Sequence, residues 1–328
     1  MARTTIKGQH PSNWRSRQFP AMGSQMAVWL ETDSPAAALA AFDQVEALFA
    51  DYERALSRFR PDSELSRLNE RTGQWVVVSD LMWQVLTQAL EMAAVSGGFF
   101  DPTMLNALEQ AGYTTSFEQL SLVGGDGFQV QGTPFLGRWA AVELDAARQA
   151  ICLPYGLRLD LGGIAKGYTA QNAVALLRQY GPGLVNASGD LAAGDGPDGY
   201  PGWPVAIRSP WTGDAQASFD LCQLWLANQA LASSGIDYRT WEINGQPRHH
   251  LIDPATGAPA SNDCLTATVL GEDAAAAEAW ATAAMVGGSA AGMDALVDAA
   301  VAGLMVTRTG EILMTPQMSE ALQLAPAT

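Results

Sequence analysis

Residues 157–180 read LRLDLGGIAKGYTAQNAVALLRQY and contain the pattern that decides the fold of the chain. Apolar and polar residues alternate over 157–161, which predicts a strand, and the apolar spacing of 165–180 predicts a helix. Between them Gly162-Gly163 turns the chain, and Lys166 stands in the first helical turn. Glycines let a ligand approach the backbone, and a helix N-terminus with a lysine favours phosphate, although an ordinary strand–helix turn with a surface lysine has the same pattern.

The segments around this turn mix strands and helices irregularly. Apolar alternation predicts strands in residues 25–32, 123–153, 183–193, 204–209 and 215–245, and helical spacing predicts helices in 36–57, 79–96, 274–286 and 289–302. Strands that follow one another directly favour an α+β fold, with mixed antiparallel sheets and packed helices, over a doubly wound α/β sheet. Residues 1–18 are polar without a period, so we predict a mobile N-terminal arm (1–18) and a single domain (19–328).

The composition limits the partners that the chain can bind. The 328 residues are 48% hydrophobic and 16% charged, as in a globular protein, and their formal net charge is −16. So acidic a surface repels nucleic acid and anionic membranes, and any phosphate site has to be a local exception built from backbone N–H groups, a placed cation or a metal. The three cysteines have no zinc spacing, and the sequence shows neither a signal peptide nor a membrane segment, so we expect a cytoplasmic protein.

Two further segments carry candidate catalytic and metal-binding side chains. His249 and His250 precede the turn Asp253-Pro-Ala-Thr-Gly257, and because adjacent strand residues point to opposite faces, at most one histidine can face a site. Glu278 and Thr282 lie four residues apart in a predicted helix and share one face. Their hard oxygen atoms suit Mg²⁺. Taken alone, the first pattern is more often a solvated histidine pair, and the second is more often an exposed glutamate.

In chain order, these motifs resemble those of the ApbE family of FAD:protein FMN transferases, from about Met22 to about Gly288. The matching strings are Met22-Gly, Ser57-x-Phe59 with Ser63-x-Leu-x-x-Leu-Asn69, Gly98-x-Phe-Asp-Pro-Thr103, Asp160-Leu-Gly-Gly-Ile-Ala-Lys-Gly167, Asn186-Ala-x-Gly-Asp190, Ser233-Ser-Gly235, His250-x-Ile-Asp-Pro-x-Thr-Gly257 and the alanine-rich helix. The resemblance implies an α+β fold related to the T-fold. It also implies a Mg²⁺-dependent enzyme that transfers FMN from FAD to a Thr or Ser hydroxyl of a flavin-acceptor protein, through a phosphoester bond, and releases AMP.

The resemblance further implies roles for single residues. The ring of Phe59 would stack on the flavin side of FAD, Lys166 would bind phosphate and assist catalysis, and His250 is the candidate proton acceptor. The metal would take the carbonyl of Gly163, the carboxylate of Glu278 and the hydroxyl of Thr282. The other residues expected to line FAD are Met22, Phe99, Phe100, Asp101, Asp160, Ser234, Gly235, Leu251 and Ile252.

Two positions depart from the family pattern. Glu278 stands where the family usually has Asp, which moves the carboxylate by about 1 Å or more at a metal that demands near-octahedral geometry. Ser188 stands where glycine is usual. Two other functions remain open: an FAD pyrophosphatase, in which water replaces the protein hydroxyl at the same site, and a flavin-binding protein that has lost catalysis, for which Glu278 is the motivating feature.

Overall fold

An antiparallel sheet of eight strands forms the centre of the computed structural model, which describes residues 11–115, 137–211, 219–236, 240–243 and 246–323. The strands of the described residues are β1 (Trp14–Ala21), β2 (Ser24–Glu31), β3 (Trp75–Val77), β4 (Glu143–Asp145), β5 (Ala150–Cys152), β6 (Gly183–Ala187), β7 (Asp190–Ala193), β8 (Trp203–Arg208), β9 (Asp220–Leu226), β10 (Ala230–Gly235), β11 (Thr240–Ile243), β12 (Gln246–His249), β13 (Ile252–Asp253), β14 (Ala258–Pro259), β15 (Cys264–Gly271), β16 (Ala302–Thr307) and β17 (Ile312–Met314). The central sheet has the order β1-β2-β6-β7-β10-β15-β16-β17, so its strands lie side by side in chain order. Every neighbouring pair is antiparallel.

The helices begin where polar side chains can cap them. They are α1 (Pro35–Leu56), α2 (Glu64–Asn69), α3 (Asp80–Val95), α4 (Leu105–Gln110), α5 (Ala165–Leu177), α6 (Ala274–Gly287), α7 (Met293–Asp298) and α8 (Pro316–Gln323), with a π turn at Gly288–Gly292. Ser34, Ser79 and Asp273 each accept a hydrogen bond from a backbone N–H in the first turn of α1, α3 and α6. The sequence pattern placed these three helices correctly to within one or two residues.

Different layers cover the two faces of the central sheet. Because side chains alternate along a strand, Val185 packs in the cluster that contains α1, α5 and α6, whereas its neighbour Leu184 packs with the β8–β9 hairpin. Buried alanines make up half of α6, and their short side chains let it lie close to β10 and β15. The antiparallel sheet with helices packed on it confirms the predicted α+β class. Within the described residues, no helix is both long and apolar enough to cross a membrane.

The structure corrects three of the predicted segments. β1 begins at Trp14, so the predicted mobile arm is wrong for residues 14–18, while residues 1–10 lie outside the described residues. Charged residues of this edge strand, such as Arg17 beside Glu46, obscure the alternation of apolar and polar residues that would indicate a strand. The helix predicted for 289–302 is interrupted by the π turn and ends at Asp298, after which Ala300 has a positive φ of 54°.

Residues 157–161, predicted as a strand, form none. Their backbone groups are taken elsewhere: Leu159 N donates to Asn69 Oδ1 at 2.7 Å, and Asp160 N donates to the carbonyl of Pro102 at 2.8 Å. The apolar alternation of this segment reflects the burial of its leucines rather than a ladder. Parts of the other predicted strands, at 123–136, 215–218, 237–239 and 244–245, lie outside the described residues.

Candidate functional site

A cavity of about 570 Å³ opens where loops and helix ends meet beside the central sheet. Its wall is formed by the β1–β2 turn, the segment after α1, the loops that precede α4 and α5, the β6–β7 turn, β10, the segment after β12 and one face of α6. This volume is typical of sites for small molecules and cofactors. The candidate residues named from the sequence all line it: Met22, Phe59, Phe99, Phe100, Asp101, Asp160, Gly163, Lys166, Ser234, Gly235, His250, Leu251, Ile252, Glu278 and Thr282.

Lys166 is held between two buried carboxylates on this wall. Its Nζ lies 2.6 Å from Asp190 Oδ2 and contacts Glu278 Oε1. The second oxygen of Glu278, Oε2, accepts a hydrogen bond from Gly167 N at 2.8 Å. The first turn of α5, the β6–β7 hairpin and α6 therefore meet at one group of charges, which we call the Lys166 cluster (Lys166, Asp190 and Glu278).

Burial and charge shift the pKa values in this cluster. Burial lowers the pKa of the Lys166 ammonium, but Asp190 and Glu278 outweigh that effect and the pKa is raised. Burial, together with the Asp190 carboxylate, raises the pKa of Glu278 against the opposing influence of Lys166. Because two carboxylates face one ammonium, negative charge is in excess when all three groups are ionised.

The same region offers the oxygen donors that the sequence assigns to a metal. Glu278 and Thr282 lie one turn apart on α6, and a Cβ added at Gly163 would stand 3.5 Å from Thr282 Oγ1. Within the described part of the chain, no three His, Cys, Asp or Glu side chains form a metal cluster, so a cation here would complete its shell with hydroxyl, carbonyl, substrate or water oxygens. Mg²⁺ is commonly bound in this way, and the excess negative charge favours it, so the residues present fit Mg²⁺ in kind.

Arg58 ties the loop before α5 to an aromatic wall. Its Nε lies 2.5 Å from Asp160 Oδ2, and Asp160 Oδ1 accepts from Gly162 N at 2.6 Å. The guanidinium lies 4.1 Å from the ring centroid of Phe59 and 4.6 Å from that of Tyr113. Such cation–π contacts fix the orientation of the guanidinium plane against the two rings. Phe59 is 40% exposed and lines the cavity, as a ring that receives a planar ligand must.

Asp101 presents a carboxylate oxygen that the protein does not satisfy. Its Oδ1 accepts from Thr103 N at 2.7 Å and from Thr103 Oγ1 at 2.6 Å, whereas its buried Oδ2 has no hydrogen-bond partner within the described residues. Burial raises the pKa of Asp101 to about 6, although the hydrogen bonds from Thr103 oppose the shift. An unpaired buried acceptor in a cavity wall can accept from a donor that a ligand or a water molecule supplies.

The two histidines occupy different environments, as the strand pattern predicted. His250 lines the cavity. His249, the last residue of β12, is buried, and its Nε2 lies 2.9 Å from the carbonyl of Ala260, which requires the tautomer with the proton on Nε2. Burial lowers the pKa of His249, which favours the neutral ring. His249 is thus a structural residue, and His250 is the histidine available to a ligand.

Backbone strain also marks this cavity. Met22 and Ser188 both line it, and their φ angles of 49° and 62° lie in the left-handed region that is unfavourable for side chains with a Cβ. Glu53 Oε2 accepts from Met22 N at 2.8 Å and helps to hold the first of these turns. Serine at 188, where the resemblance predicts glycine, is therefore a strained choice.

Sequence reasoning missed several residues of the wall, notably Arg58, Glu53, Tyr113 and Asp190. Asp190 belonged to a quoted motif but received no role, and Arg58 directly precedes Phe59. Glu53 in the last turn of α1 and Tyr113 after α4 gave no signal, because only the tertiary fold brings them to the cavity.

The sequence of this chain is similar to those of known proteins over most of its length. The model of the ApbE family matches residues 22–305. A protein of Treponema pallidum (strain Nichols) named FAD:protein FMN transferase is 31% identical over 284 residues, which are 81% of this chain and 77% of that protein. A protein of the same name from Klebsiella pneumoniae (strain 342) is 28% identical over 266 residues, or 80% of this chain and 78% of that protein.

Solved structures give the same result. The apo form of the flavinyl transferase ApbE from Pseudomonas stutzeri superposes with a TM-score of 0.79 at 26% identity and covers 94% of this chain and 96% of that chain. The ApbE protein of Thermotoga maritima has a TM-score of 0.81 at 23% identity, over 94% of this chain and 99% of that chain, and supports the fold alone.

Proposed function

This chain belongs to the ApbE family, and from that premise we propose that it is an FAD:protein FMN transferase. It transfers FMN from FAD to a Thr or Ser hydroxyl of an acceptor protein, forms a phosphoester bond and releases AMP. The observation that supports this best is the wall of the cavity. A lysine, two buried carboxylates and a hydroxyl converge there beside a ring that can stack on a planar ligand.

The cavity residues divide into those that bind FAD and those that act on its pyrophosphate. Phe59, held against Arg58, stacks on the flavin end. Asp101 accepts a hydrogen bond from a donor group of FAD at its unpaired Oδ2. Lys166 binds a phosphate oxygen, which matters because a chain of net charge −16 otherwise repels the dinucleotide. Met22, Asp160, Ser234 and Ile252 complete the wall.

The Gly163 carbonyl, Glu278 and Thr282 are the groups that would hold Mg²⁺. When bound, Mg²⁺ neutralises phosphate charge and polarises the phosphorus–oxygen bonds. The chain itself contributes orientation: Arg58 and Asp160 fix the loop before α5, and Gly167 N holds Glu278 Oε2. These contacts keep the reacting groups in place, which is the larger part of catalysis in phosphoryl transfer.

His250 takes the proton from the attacking hydroxyl. The oxygen of the acceptor side chain attacks the FMN-side phosphorus, the bond to the AMP-side oxygen breaks, and AMP leaves in line. His250 lies at the cavity wall, and histidine is the residue type that most often acts as a general base in enzymes.

The test is incubation of the chain with FAD, Mg²⁺ and candidate flavoprotein acceptors. We expect a covalent FMN adduct on the acceptor, seen by in-gel flavin fluorescence and intact mass, with one AMP released for each adduct. AMP release that needs no acceptor would instead identify an FAD pyrophosphatase. Bound flavin without AMP release under either condition would identify a flavin-binding protein and reject the proposed activity.

A further inference from the structure

The Lys166 cluster places a cation of the protein at the carboxylate expected to hold the metal. Lys166 Nζ contacts Glu278 Oε1, and Gly167 N already occupies Glu278 Oε2. A divalent cation that binds Glu278 through Oε1 therefore meets Lys166 there, and two cations at one oxygen repel each other. Glu278 is buried, so bulk water has little access to its carboxylate, and any exchange of Lys166 for the cation takes place within the cluster.

The choice of side chain supports a direct competition. Lys166 is one of two lysines in the sequence, the other being Lys7, and the remaining cationic side chains are arginines. An ammonium is a compact point charge, closer in shape to a metal ion at a carboxylate than a guanidinium, which is planar and binds as a fork. The two arginines of the same wall pair with other carboxylates, Arg58 with Asp160 and Arg60 with Asp62.

Asp190 is the second charged partner of Lys166. Its Oδ2 lies 2.6 Å from Lys166 Nζ, and its side chain is as buried as that of Glu278. If the cation takes Glu278, Lys166 keeps one charged partner and does not leave the cavity. Without Asp190, the ammonium would have Glu278 as its only carboxylate in the cluster.

We propose that Lys166 competes with the divalent cation for Glu278, and that Asp190 is a positioning residue which retains Lys166 beside the cavity when the cation is bound. This inference rests on the proposed function, which assigns Glu278 to the cation. When the cation binds, Lys166 turns from Glu278 toward the phosphates of FAD. The cation and FAD therefore favour each other's binding.

The test measures cation affinity without FAD and without turnover. Mg²⁺ binding by calorimetry and Mn²⁺ binding by electron paramagnetic resonance are compared in the wild-type chain, Lys166→Met, Lys166→Gln and Arg58→Met. Competition predicts that both Lys166 variants bind the cation more tightly, by about tenfold, within the usual range of coupling between two ligands. Arg58→Met removes a charge of the same sign from the same wall and controls for general electrostatics. Equal tightening in Arg58→Met, or unchanged affinity in the Lys166 variants, would overturn the proposal.

A double-mutant cycle isolates Asp190. Asp190→Asn alone should weaken cation binding by about tenfold, because Lys166 then depends on Glu278, but should have no effect in the Lys166→Met background. A loss of affinity in both backgrounds would make Asp190 a metal ligand and contradict its positioning role.

A wild-type measurement keeps the idea testable if the variants do not fold. In protein labelled with ¹³C-lysine, Mg²⁺ should shift the Cε signal of Lys166, assigned by comparison with Lys7→Arg, and leave that of Lys7 in place. Cation binding with no shift at Lys166 would refute competition. The transfer assay with the wild-type chain stands apart from these readouts, so an active enzyme with no competition, and competition in a chain that transfers no FMN, are distinguishable results.

Discussion

Among single residues, Asp101 has the most direct consequence for stability. Its folded-state pKa of about 6 exceeds the ordinary value of 3.8 for an aspartate, so the folded protein binds this proton more tightly than the unfolded chain does. The folded state therefore loses stability as pH rises from about 4 through 6, by ~3 kcal/mol in the limit of full ionisation. An unpaired buried oxygen that lowers stability at neutral pH is consistent with a group retained to bind a ligand.

We expect Asp101→Asn to raise the free energy of unfolding, and to do so by about 1 kcal/mol more at pH 8 than at pH 5, because the amide carries no charge to bury. Denaturant unfolding at the two pH values checks this, with Asp62→Asn at an exposed position as the control. FAD affinity should fall in the same variant, since Oδ2 is lost as an acceptor. An equal gain at both pH values would show that the ionisation of Asp101 is not the cause.

Substitution of His250 should affect mainly turnover, whereas substitution of His249 should affect mainly the stability of the fold. His250→Ala is expected to lower turnover by about 10²–10⁴-fold while FAD affinity changes little, as for the loss of a general base. His249→Ala leaves the Ala260 carbonyl unsatisfied and should lower the free energy of unfolding by about 1–3 kcal/mol, with turnover of the folded protein near that of wild type. Steady-state kinetics and thermal unfolding of both variants test the assignment, and a reversed pattern would transfer the catalytic role to His249.

At the level of elements, the close approach of α5 and α6 holds the site together. A Cβ at Gly167 would lie 2.2 Å from the carbonyl oxygen of Ala274, so Gly167→Ala must force the two helices apart. We expect a loss of about 1–3 kcal/mol or more in the free energy of unfolding, and weaker Mg²⁺ dependence of turnover, because Lys166 and Glu278 separate. Gly271→Ala, where nothing lies within 4 Å, is the matched control and should be within about 0.5 kcal/mol of wild type. Equal effects in the two variants would mean that helix contact is not the cause.

The β6–β7 turn provides a second test. Ser188 has a φ of 62°, which costs a residue with a Cβ about 1–2 kcal/mol, so Ser188→Gly should raise the melting temperature or leave it unchanged, once the greater freedom of glycine in the unfolded chain is counted. Ser188→Val should lower it clearly, because a branched side chain is least tolerated there. If Ser188→Gly melts several degrees lower, then contacts of the serine side chain outweigh its strain.

These elements also show which features the sequence can predict. The starts of α1, α3 and α6 are local properties of the capping residues Ser34, Ser79 and Asp273, and the opposite environments of His249 and His250 follow from strand parity. The meeting of Lys166 with Asp190 and Glu278 is not local, because the partners are 24 and 112 positions away. Periodicity failed at residues 157–161 because buried leucines alternate there without a neighbouring strand.

At the level of the whole molecule, charge controls the encounter with FAD. The chain has a net charge of −16, and the cavity wall carries more carboxylates than cations: Glu53, Asp101, Asp160, Asp190 and Glu278 against Arg58, Arg60 and Lys166. Because the pyrophosphate is anionic as well, long-range repulsion should slow association. Local cations then bind a ligand that the overall field does not attract.

We therefore expect the association rate of FAD, at fixed Mg²⁺, to rise severalfold when the salt concentration increases from about 0.01 M to about 0.1 M, as the screening length falls from about 30 Å to about 10 Å. Stopped-flow flavin fluorescence measures the rate. Riboflavin, which has no phosphate, serves as the control and should show no such rise. A fall in the FAD rate with salt would mean that the field at the cavity mouth is positive.

The order of strands across the central sheet governs how the chain reaches this structure. β1 and β2 form a hairpin, whereas β2 pairs with β6 across the whole of residues 32–182. Closing so long a loop costs conformational entropy before any contact rewards it, so the short hairpins should form early and the β2–β6 junction late in refolding. The cavity takes Met22 from the β1–β2 hairpin and Lys166 from the connecting segment that this junction closes. The competence to bind flavin should consequently appear in the last kinetic phase of refolding, after most of the secondary structure has already formed.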